Sequence, residues 1–400
     1  MRREWKARVS DSRPKGRIPT SVFPATFFAM FCCRLASFNE LEQHRGHGSW
    51  RRWLGGFPLP SADELAYVSE RIDPEGLRGC LGAVHSRLKR NKVLAPRHGW
   101  MLAAIDGHEI NSSYKRCCKD CLQRRITAGG VEKIQYYHRV VVLQIIGEDF
   151  YFLFDLELVR PEEDEVAAAL RLLTRVLANH PRCFDVLSAD AIYLRPSTIE
   201  LLEAHRKYLI AVLKDNQPEL LREARTLLPE EPARHFDTPA PPAKPARHIE
   251  LREAEGFRTE SITKALRIVH AHETGTRRER IAGQWRESPI DSHWYWATTL
   301  PASLAQGRVI FEFGHDRWKI ENEGFNELVT RWHSRHSFHH HPNSIAVLWL
   351  LLFTAHAVFH CFYARNLKAE LRHGHTVIHF AKLIGASLGT QQWWPPPPPT

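Results

Sequence analysis

Three acidic residues stand where their carboxylates could bind a divalent metal ion. Asp106 and Asp190 each end a hydrophobic run of strand character, at residues 101–106 and 184–190. Glu321 lies instead among apolar residues spaced by three and four, which is typical of the buried face of a helix. If these acids converge, they could hold the hard divalent cations that catalyse phosphoryl transfer.

The surroundings of Glu321 allow two explanations. Its apolar stripe consists of Trp318, Glu321, Phe325, Leu328 and Trp332. A buried unpaired carboxylate is costly, so Glu321 needs either a basic neighbour or a bound cation. Arg317, one turn earlier, supplies the first alternative, a structural ion pair. The two upstream aspartates favour the second alternative, with Arg317 then meeting a phosphate.

The predicted element order shows how such distant acids could meet. The first hundred residues are predicted to be helical, with N-terminal capping signals at residues 61–64 and 73–75. Three strands, a helix, a strand, a helix, a strand and a helix are predicted to follow, up to residue 228. Pro161 is predicted as the first residue of the first of these helices, and Ser197 with Glu200 as the cap of the second.

The remainder of the chain changes character twice. A Pro/Ala-rich stretch at 229–244 and strand-like alternation up to about residue 300 predict an insertion. The helix of Glu321 and a long apolar helix from Ser344 come next, and the Pro-rich end after Trp394 is predicted to be disordered. Residues 345–363 are about long enough to span a bilayer, but His356 and His360 favour a buried helix.

Composition indicates a globular protein with a polyanionic partner. Of 400 residues 43% are hydrophobic, which excludes a disordered chain, and the net charge is +10. Nucleic acid is the simplest partner for that charge. The eight cysteines show no framework of the small secreted kind, so a reducing interior is favoured. Residues 22–33 resemble a signal sequence only weakly, because the polar lead is long and Pro24 interrupts the apolar run.

Other clusters have competing explanations. Cys117, Cys118 and Cys121 could bind zinc if His108 or His138 folded back, but unpaired thiols in a basic loop are favoured over zinc. A polar loop is favoured over a metal site for the histidines at 333, 336 and 339–341. Arg51 and Arg52 stand between two tryptophans that could stack on DNA or belong to the core.

Five phrases of the sequence resemble the DDE transposases of bacterial insertion sequences, over about residues 38–368. They are 106–109 (DGHE), 135–139 (QYYHR), 189–193 (ADAIY), 212–216 (VLKDN) and 317–322 (RWKIEN). The resemblance implies an α/β fold in which helices flank an RNase H-like mixed sheet, with an N-terminal helical domain and a β-rich insertion before the last catalytic acid. The expected boundaries are 1–98 for the DNA-binding helices, 99–228 and 306–370 for the catalytic domain, 229–305 for the insertion and 371–400 for the tail.

The resemblance also assigns roles. It implies that Asp106, Asp190 and Glu321 bind two Mg²⁺ or Mn²⁺ ions, and that the protein cleaves transposon ends and joins them to target DNA. Arg317 matches the arginine of the family's Tyr-Arg-Glu-Lys motif and is expected to contact DNA. Gly314 and Leu328 stand where that motif has Tyr and Lys.

The expected protein is therefore a cytoplasmic, nucleoid-associated enzyme without a membrane span, and two copies are expected to act together on DNA. Lys214, Arg51 and Arg52 are further candidates for DNA contact. Two alternatives stay open: a decayed transposase that binds DNA without cutting it, and a membrane protein built around residues 345–363.

Overall fold

The computed structural model describes residues 1–238, 245–281 and 283–389. The predicted Pro-rich end of the tail, and residues 239–244 of the Pro/Ala-rich stretch, lie outside the described residues. In the part that is described, ten strands form one mixed sheet with helices packed against it. This arrangement confirms the predicted fold class.

The sheet runs in the order β2-β3-β1-β5-β6-β10-β9-β8-β7, and β4 pairs with β3. Strand β3 runs antiparallel to both of its neighbours β1 and β4, whereas β5 and β6 run parallel to β1. The order β4-β3-β1-β5-β6 is thus the RNase H-like part of the sheet. The strands are β1 Leu102–Ser113, β2 Leu122–Ala128, β3 Val131–Ile146, β4 Tyr151–Leu158, β5 Val186–Ala189, β6 Tyr208–Val212, β7 Arg234–Asp237, β8 Arg247–Phe257, β9 Leu266–Ile281 and β10 Gln284–Thr298.

Helices cover the sheet and form the N-terminal region. They are α1 Arg2–Arg8, α2 Val22–Cys32, α3 Phe38–Glu42, α4 Gly48–Trp53, α5 Ala62–Ser69, α6 Pro74–Arg90, α7 Glu165–Asn179, α8 Pro196–Ala204, α9 Pro218–Leu227, α10 Gly307–Asp316, α11 Asn326–Arg331, α12 Pro342–Arg365, α13 Ala369–Arg372 and α14 Val377–Gly389. Short 3-10 turns occupy Ala191–Tyr193 and Leu228–Glu230, and a π-helical segment, Ile320–Phe325, lies between α10 and α11.

The insertion extends the sheet. Strand β10 pairs antiparallel with β6, so that Trp296 lies opposite Val212, and β9, β8 and β7 follow outward from it. The β-rich character predicted for this part of the sequence is therefore observed. The base of the long β9–β10 hairpin lies against the RNase H-like part of the sheet, because only the residues near Trp296 pair with β6.

The two N-terminal capping predictions are confirmed. The Ser61 side chain accepts a hydrogen bond from the Glu64 amide at 3.2 Å at the start of α5. The Asp73 carboxylate accepts one from the Glu75 amide at 3.0 Å at the start of α6. In both cases a short polar side chain satisfies an amide that has no partner within the helix.

Two capping predictions for later helices are wrong. Pro161 does not open α7; the carboxylate of Asp164 accepts a hydrogen bond from the Ala167 amide at 2.8 Å, and the helix begins at Glu165. Ser197 does not cap α8, which begins one residue earlier with Pro196. A proline fits the first helical position because its missing N–H would have no partner there.

Two apolar helices pack against each other in the interior. All eleven residues of α2 are buried, so the segment with a weak likeness to a signal sequence is part of the core. Helix α12 is long and apolar enough to cross a membrane, yet 78% of its most apolar 18-residue stretch is buried inside the protein. It packs on α2, α6 and β4. The predicted buried helix is thus observed.

The two histidines of α12 have a partner that explains their position. Glu327 of α11 lies 2.9 Å from Nε2 of His360 and 3.5 Å from Nε2 of His356. Burial lowers the pKa of His356 to about 4, although Glu327 acts in the opposite direction. The Glu327 carboxylate therefore places a negative charge beside both imidazoles within the apolar interior.

His85 makes the stability of the N-terminal helices depend on pH. Its ring on α6 packs against Phe152 and Phe154 of β4, with centroids 5.8 and 5.1 Å away. Burial lowers the pKa of His85 to about 3, and Lys89 and His180 add to that effect. Between about pH 6.5 and pH 3 the unfolded chain therefore binds a proton that the folded chain does not, so stability falls as the pH falls.

We expect His85→Phe to remove this contribution. From pH 6.5 to pH 5 the free energy of unfolding should fall in both proteins. We expect the fall to be about 2 kcal/mol smaller in the variant than in the unmodified protein. Urea unfolding at the two pH values measures the difference. His373→Phe, at an exposed position after α13, is the control. Equal pH slopes for the two variants would contradict the assignment to His85.

Candidate active site

The parallel pairing of β1 with β5 brings the two aspartates together. Ile105 pairs with Ala189 in the register of these strands, so the residues that follow, Asp106 and Asp190, are neighbours at one edge of the sheet. Asp190 lies directly after β5, where the chain turns into the 3-10 segment that begins at Ala191. The predicted strand-end position of Asp190 is therefore observed. Asp106 differs, because β1 continues beyond it to Ser113.

Glu321 reaches the site from the π-helical segment. The chain is helical around Glu321 as predicted, but π turns at Ile320–Phe325 interrupt the regular α-helix, and the buried face does not extend to Trp318, which is exposed whereas Phe325 is buried. A π turn closes its hydrogen bonds over five residues, so the spacing by three and four does not continue through it. The ring of His108 on β1 stacks on Phe325 at 4.4 Å and holds the segment against the strand that carries Asp106. Such turns are frequent at functional sites.

One guanidinium joins two of the acids. Nη1 of Arg317 lies 2.8 Å from a carboxylate oxygen of Glu321 and 3.3 Å from one of Asp106. The Arg317 side chain is only 3% exposed, whereas that of Glu321 is 38% exposed. The guanidinium carbon of Arg317 also lies 4.3 Å from the centroid of the Trp318 ring. The structure therefore contains the ion pair that was one of the two alternatives for Glu321. The DNA contact expected for Arg317 stays a prediction.

Asp106 lies in an environment that disfavours its ionised form. Burial is the main cause that raises the pKa of Asp106 to about 7; Arg317 acts against this rise, and the neighbouring Glu321 carboxylate adds to it. Two carboxylates this close disfavour each other's ionised form. Because carboxylate oxygens are the ligands preferred by hard divalent cations, the residues present fit a metal of the magnesium type.

Lys214 holds the third acid. Its ammonium donates a hydrogen bond to Asp190 at 2.8 Å, from the loop after β6. Burial by itself would raise the pKa of Asp190, but the bonds from Lys214 and from the Ala191 amide keep it below its ordinary value. The structure thus places Lys214, a predicted DNA-contact residue, beside the acids. Its side chain is half exposed.

Comparison with known families agrees with this geometry. The family model described as a transposase DDE domain matches residues 131–358, more than half of the chain. The chain belongs to the DDE transposase family. The matched range contains Asp190 and Glu321 and begins after Asp106. The curated proteins compared with the chain include none that matches it.

Membership of this family implies DNA-cleaving phosphoryl transfer, the chemistry of DNA transposition. DDE transposases generally use divalent metal ions. The cluster of Asp106, Asp190 and Glu321 in this transposase therefore has a donor set suited to its family's chemistry. Its sheet order and the position of its insertion also fit an RNase H-like DDE domain.

A fourth acid, Glu165, lies behind Asp106. Its carboxylate accepts a hydrogen bond from the Tyr193 hydroxyl at 2.7 Å and pairs with Arg139 at 3.0 Å. A Cβ atom at Gly107 would collide with this carboxylate, so a glycine beside Asp106 allows the close approach. The Tyr193 and Arg139 contacts could be seen only in the fold.

Packing accounts for the two positions where this transposase departs from the family motif. Gly314 lies in α10, and a Cβ atom there would collide with the buried indole of Trp296. Leu328 is completely buried in the core, where a lysine ammonium would lose its hydration. Neither position can therefore take the motif residue without rearrangement of its neighbours.

The other predicted site residues lie elsewhere. Arg51 and Arg52 are exposed on α4, whereas the adjacent Trp50 is buried and the Trp53 indole donates to the Ala25 carbonyl at 3.0 Å. The tryptophans are thus structural, and DNA contact by the arginines stays a prediction.

The residues that cluster around the cysteines differ from the possible zinc ligands predicted from the sequence. Cys117 is exposed, whereas Cys118 and Cys121 lie together with His138 and His340. His138 was one of the two histidines considered as a further ligand. His340 was assigned to a polar loop, and its place in this group was missed.

Proposed function

We propose that this protein is an insertion-sequence transposase in which Asp106, Asp190 and Glu321 are the catalytic acids. The observation that carries the proposal is their convergence. Arg317 touches two of them and Lys214 touches the third, at the edge of an RNase H-like sheet. We infer that the protein cleaves DNA at the transposon ends and joins the cut ends to target DNA.

The three acids would hold two Mg²⁺ or Mn²⁺ ions. Bound there, the cations supply activation of an attacking oxygen and stabilisation of the leaving oxygen of a phosphodiester. The carboxylates would contribute the negative charge that holds the cations, since carboxylate oxygens are the ligands that hard divalent cations prefer. The stacked contact of His108 with Phe325 sets the position of Glu321 relative to β1.

The two cationic side chains have different roles in this proposal. Arg317 is buried and acts as a positioning residue that orients Asp106 and Glu321. Lys214 has half of its side chain exposed and is the better placed to meet a DNA phosphate beside Asp190. Lys214 is therefore proposed to bind the backbone of the cleaved strand, since phosphate contacts position DNA for the chemistry.

The remaining expectations become part of the proposal. The helical region 1–98, with Arg51 and Arg52 exposed, is proposed to bind the transposon ends, and the net charge of +10 supports a DNA partner. Residues 99–228 and 306–370 would form the catalytic domain around the insertion at 229–305, with the tail after it. Two copies are proposed to act on DNA in the cytoplasm, at the nucleoid.

The proposal is tested with the purified protein and a plasmid that carries the DNA flanking its own coding sequence. With Mg²⁺ we expect cleavage at the element's ends and joined products in added target DNA. Protein that retains DNA binding but gives neither product in Mg²⁺ or Mn²⁺ would refute the enzymatic proposal.

Removal of the divalent metal should separate cleavage from binding. We expect EDTA to abolish cleavage, because the cations that stabilise the leaving oxygen are lost. DNA binding should persist and weaken steeply with salt, since phosphate contacts release counterions. Gel-shift and cleavage assays on the same samples measure both, and excess Mg²⁺ should restore cleavage. Cleavage that survives chelation would contradict the metal requirement.

A decayed transposase is the second candidate. The observation in its favour is that Gly314 and Leu328 replace the motif Tyr and Lys at packed positions. It predicts salt-sensitive DNA binding without metal-dependent cleavage, which the same two assays detect.

A further inference from the structure

A second group of potential metal ligands lies apart from the three acids. Cys118 and Cys121 belong to the turn between β1 and β2, His138 lies on β3, and His340 precedes α12. One ligand atom from each of the four residues lies within 4.8 Å of the other three. No part of the phosphoryl-transfer proposal uses these residues.

The distances are those of a four-coordinate zinc site. The two sulfurs are 3.6 Å apart, and Nε2 of His138 lies 3.3 Å from Cys118 and 3.5 Å from Cys121. Nε2 of His340 lies 3.1 Å from the Cys121 sulfur. Zinc–sulfur and zinc–nitrogen bonds of about 2.3 and 2.1 Å give tetrahedral edges of about 3.8 Å between sulfurs and about 3.6 Å between sulfur and nitrogen. These four separations lie within about 0.5 Å of the tetrahedral edges.

The local backbone supports thiolate ligands. The Cys121 amide donates to the Cys118 carbonyl at 3.2 Å, which closes a turn and places both sulfurs on one side. The Cys118 amide in turn donates to the Cys121 sulfur at 3.2 Å, a bond that stabilises negative charge on that sulfur. The sulfurs are too far apart for a disulfide, and both cysteines are free.

Burial favours a divalent cation bound by two thiolates and two neutral imidazoles, because such a complex has no net charge. His138 is completely buried, and a neutral imidazole there can offer a lone pair to a cation. A bound metal deprotonates cysteine thiols, and two protons leave to solvent as the ion binds.

We propose that Cys118, Cys121, His138 and His340 bind one structural Zn²⁺ ion. The site would join the β1–β3 part of the sheet to the segment that leads from α11 into α12. Asp106 lies on β1 and Glu321 lies just before α11, so the zinc would tie together the two parts of the chain that carry these acids. All four protein positions are filled, which is typical of structural and not catalytic zinc sites.

The test measures metal content of the full-length protein purified from zinc-supplied cells, without reference to its activity. We expect about one zinc ion per chain when the zinc content is measured by elemental mass spectrometry. Cys118→Ser and His340→Gln should each lower that content at least several-fold. The adjacent residues give matched controls, since Cys117→Ser and His341→Gln change the same residue types outside the group and should keep the zinc.

Cobalt gives a readout that does not depend on a variant folding. Replacement of the bound metal by Co²⁺ in the unmodified protein should produce the visible absorption of tetrahedral cobalt with thiolate-to-cobalt charge transfer. Chelation of the zinc should also lower the midpoint of thermal unfolding, because metal binding contributes to folding free energy. Purified protein without zinc that also gives no thiolate–cobalt spectrum would overturn the proposal. So would equal zinc content in Cys118→Ser and Cys117→Ser, or a Cys118–Cys121 disulfide in the native protein.

Discussion

Glu321→Gln is expected to remove metal-dependent DNA cleavage while leaving the protein folded. The amide keeps the size of the side chain but lacks the charge that a divalent cation requires. Loss of several kcal/mol of transition-state stabilisation corresponds to a rate about 10³-fold lower. Folding should change little, because the side chain is 38% exposed and Arg317 keeps its contact with Asp106. Cleavage rates at saturating DNA and Mg²⁺, together with thermal unfolding, measure both effects.

Glu323→Gln is the matched control. Glu323 lies two residues further along the same π-helical segment, and its side chain is exposed. We expect the rate of this variant to stay within about twofold of the unmodified protein, since surface changes away from special features are nearly neutral. Asp190→Asn should be as inactive as Glu321→Gln, with the exposed Asp215→Asn as its control. An active Glu321→Gln variant would remove Glu321 from the proposed catalytic set.

Gly314→Ala is expected to destabilise the protein by about 1–3 kcal/mol, the usual range for overpacking. The direction of this change in the free energy of unfolding is informative, because alanine within a helix ordinarily stabilises a protein by about 1 kcal/mol relative to glycine. Here the added Cβ would collide with the indole of Trp296, whose ring packs on Phe311 and His315 at 5.9 and 5.1 Å and has little room to move. Urea unfolding measures the change in the free energy of unfolding.

Gly385→Ala in α14 tests the same substitution without the collision. The nearest atom to the added Cβ there is Cβ of Cys33 at 3.6 Å, an ordinary contact, so this variant should be neutral or slightly more stable. Trp296→Phe should partly relieve the strain of Gly314→Ala in a double-mutant cycle. Gly314→Tyr, which restores the motif tyrosine, should be less stable than Gly314→Ala. A Gly314→Ala variant as stable as the unmodified protein would show that packing does not explain the glycine.

Local sequence patterns correctly predicted where a helix begins when only one capping residue was available. Ser61 and Asp73 cap their helices as predicted, because a capping side chain and the amides it serves lie within three residues of each other. At Pro161 two signals competed. The carboxylate of Asp164 could cap the following turn, so the helix began after it and not at the proline.

The sequence also identified three acids by their positions in hydrophobic elements, but the fold decided how they are held. Asp106 and Glu321 are far apart in the chain, and the contact of Arg317 with both depends on the way the π-helical segment lies against β1. The π turn itself escaped prediction, since the pattern of apolar residues assumes a constant angle between successive side chains.

The sequence by itself determined the strand-end position of Asp190, the apolar character of α12 and the order of strands and helices up to residue 228, except that it predicted three strands before α7 where the structure has four, β2 being the one missed. Only the tertiary structure decided which side chains meet. Cys121 and His340 are 219 positions apart, yet their ligand atoms lie 3.1 Å from each other. Hydrophobic periodicity and capping act between near neighbours, whereas a metal site requires the packing of several elements to bring its ligands to one point.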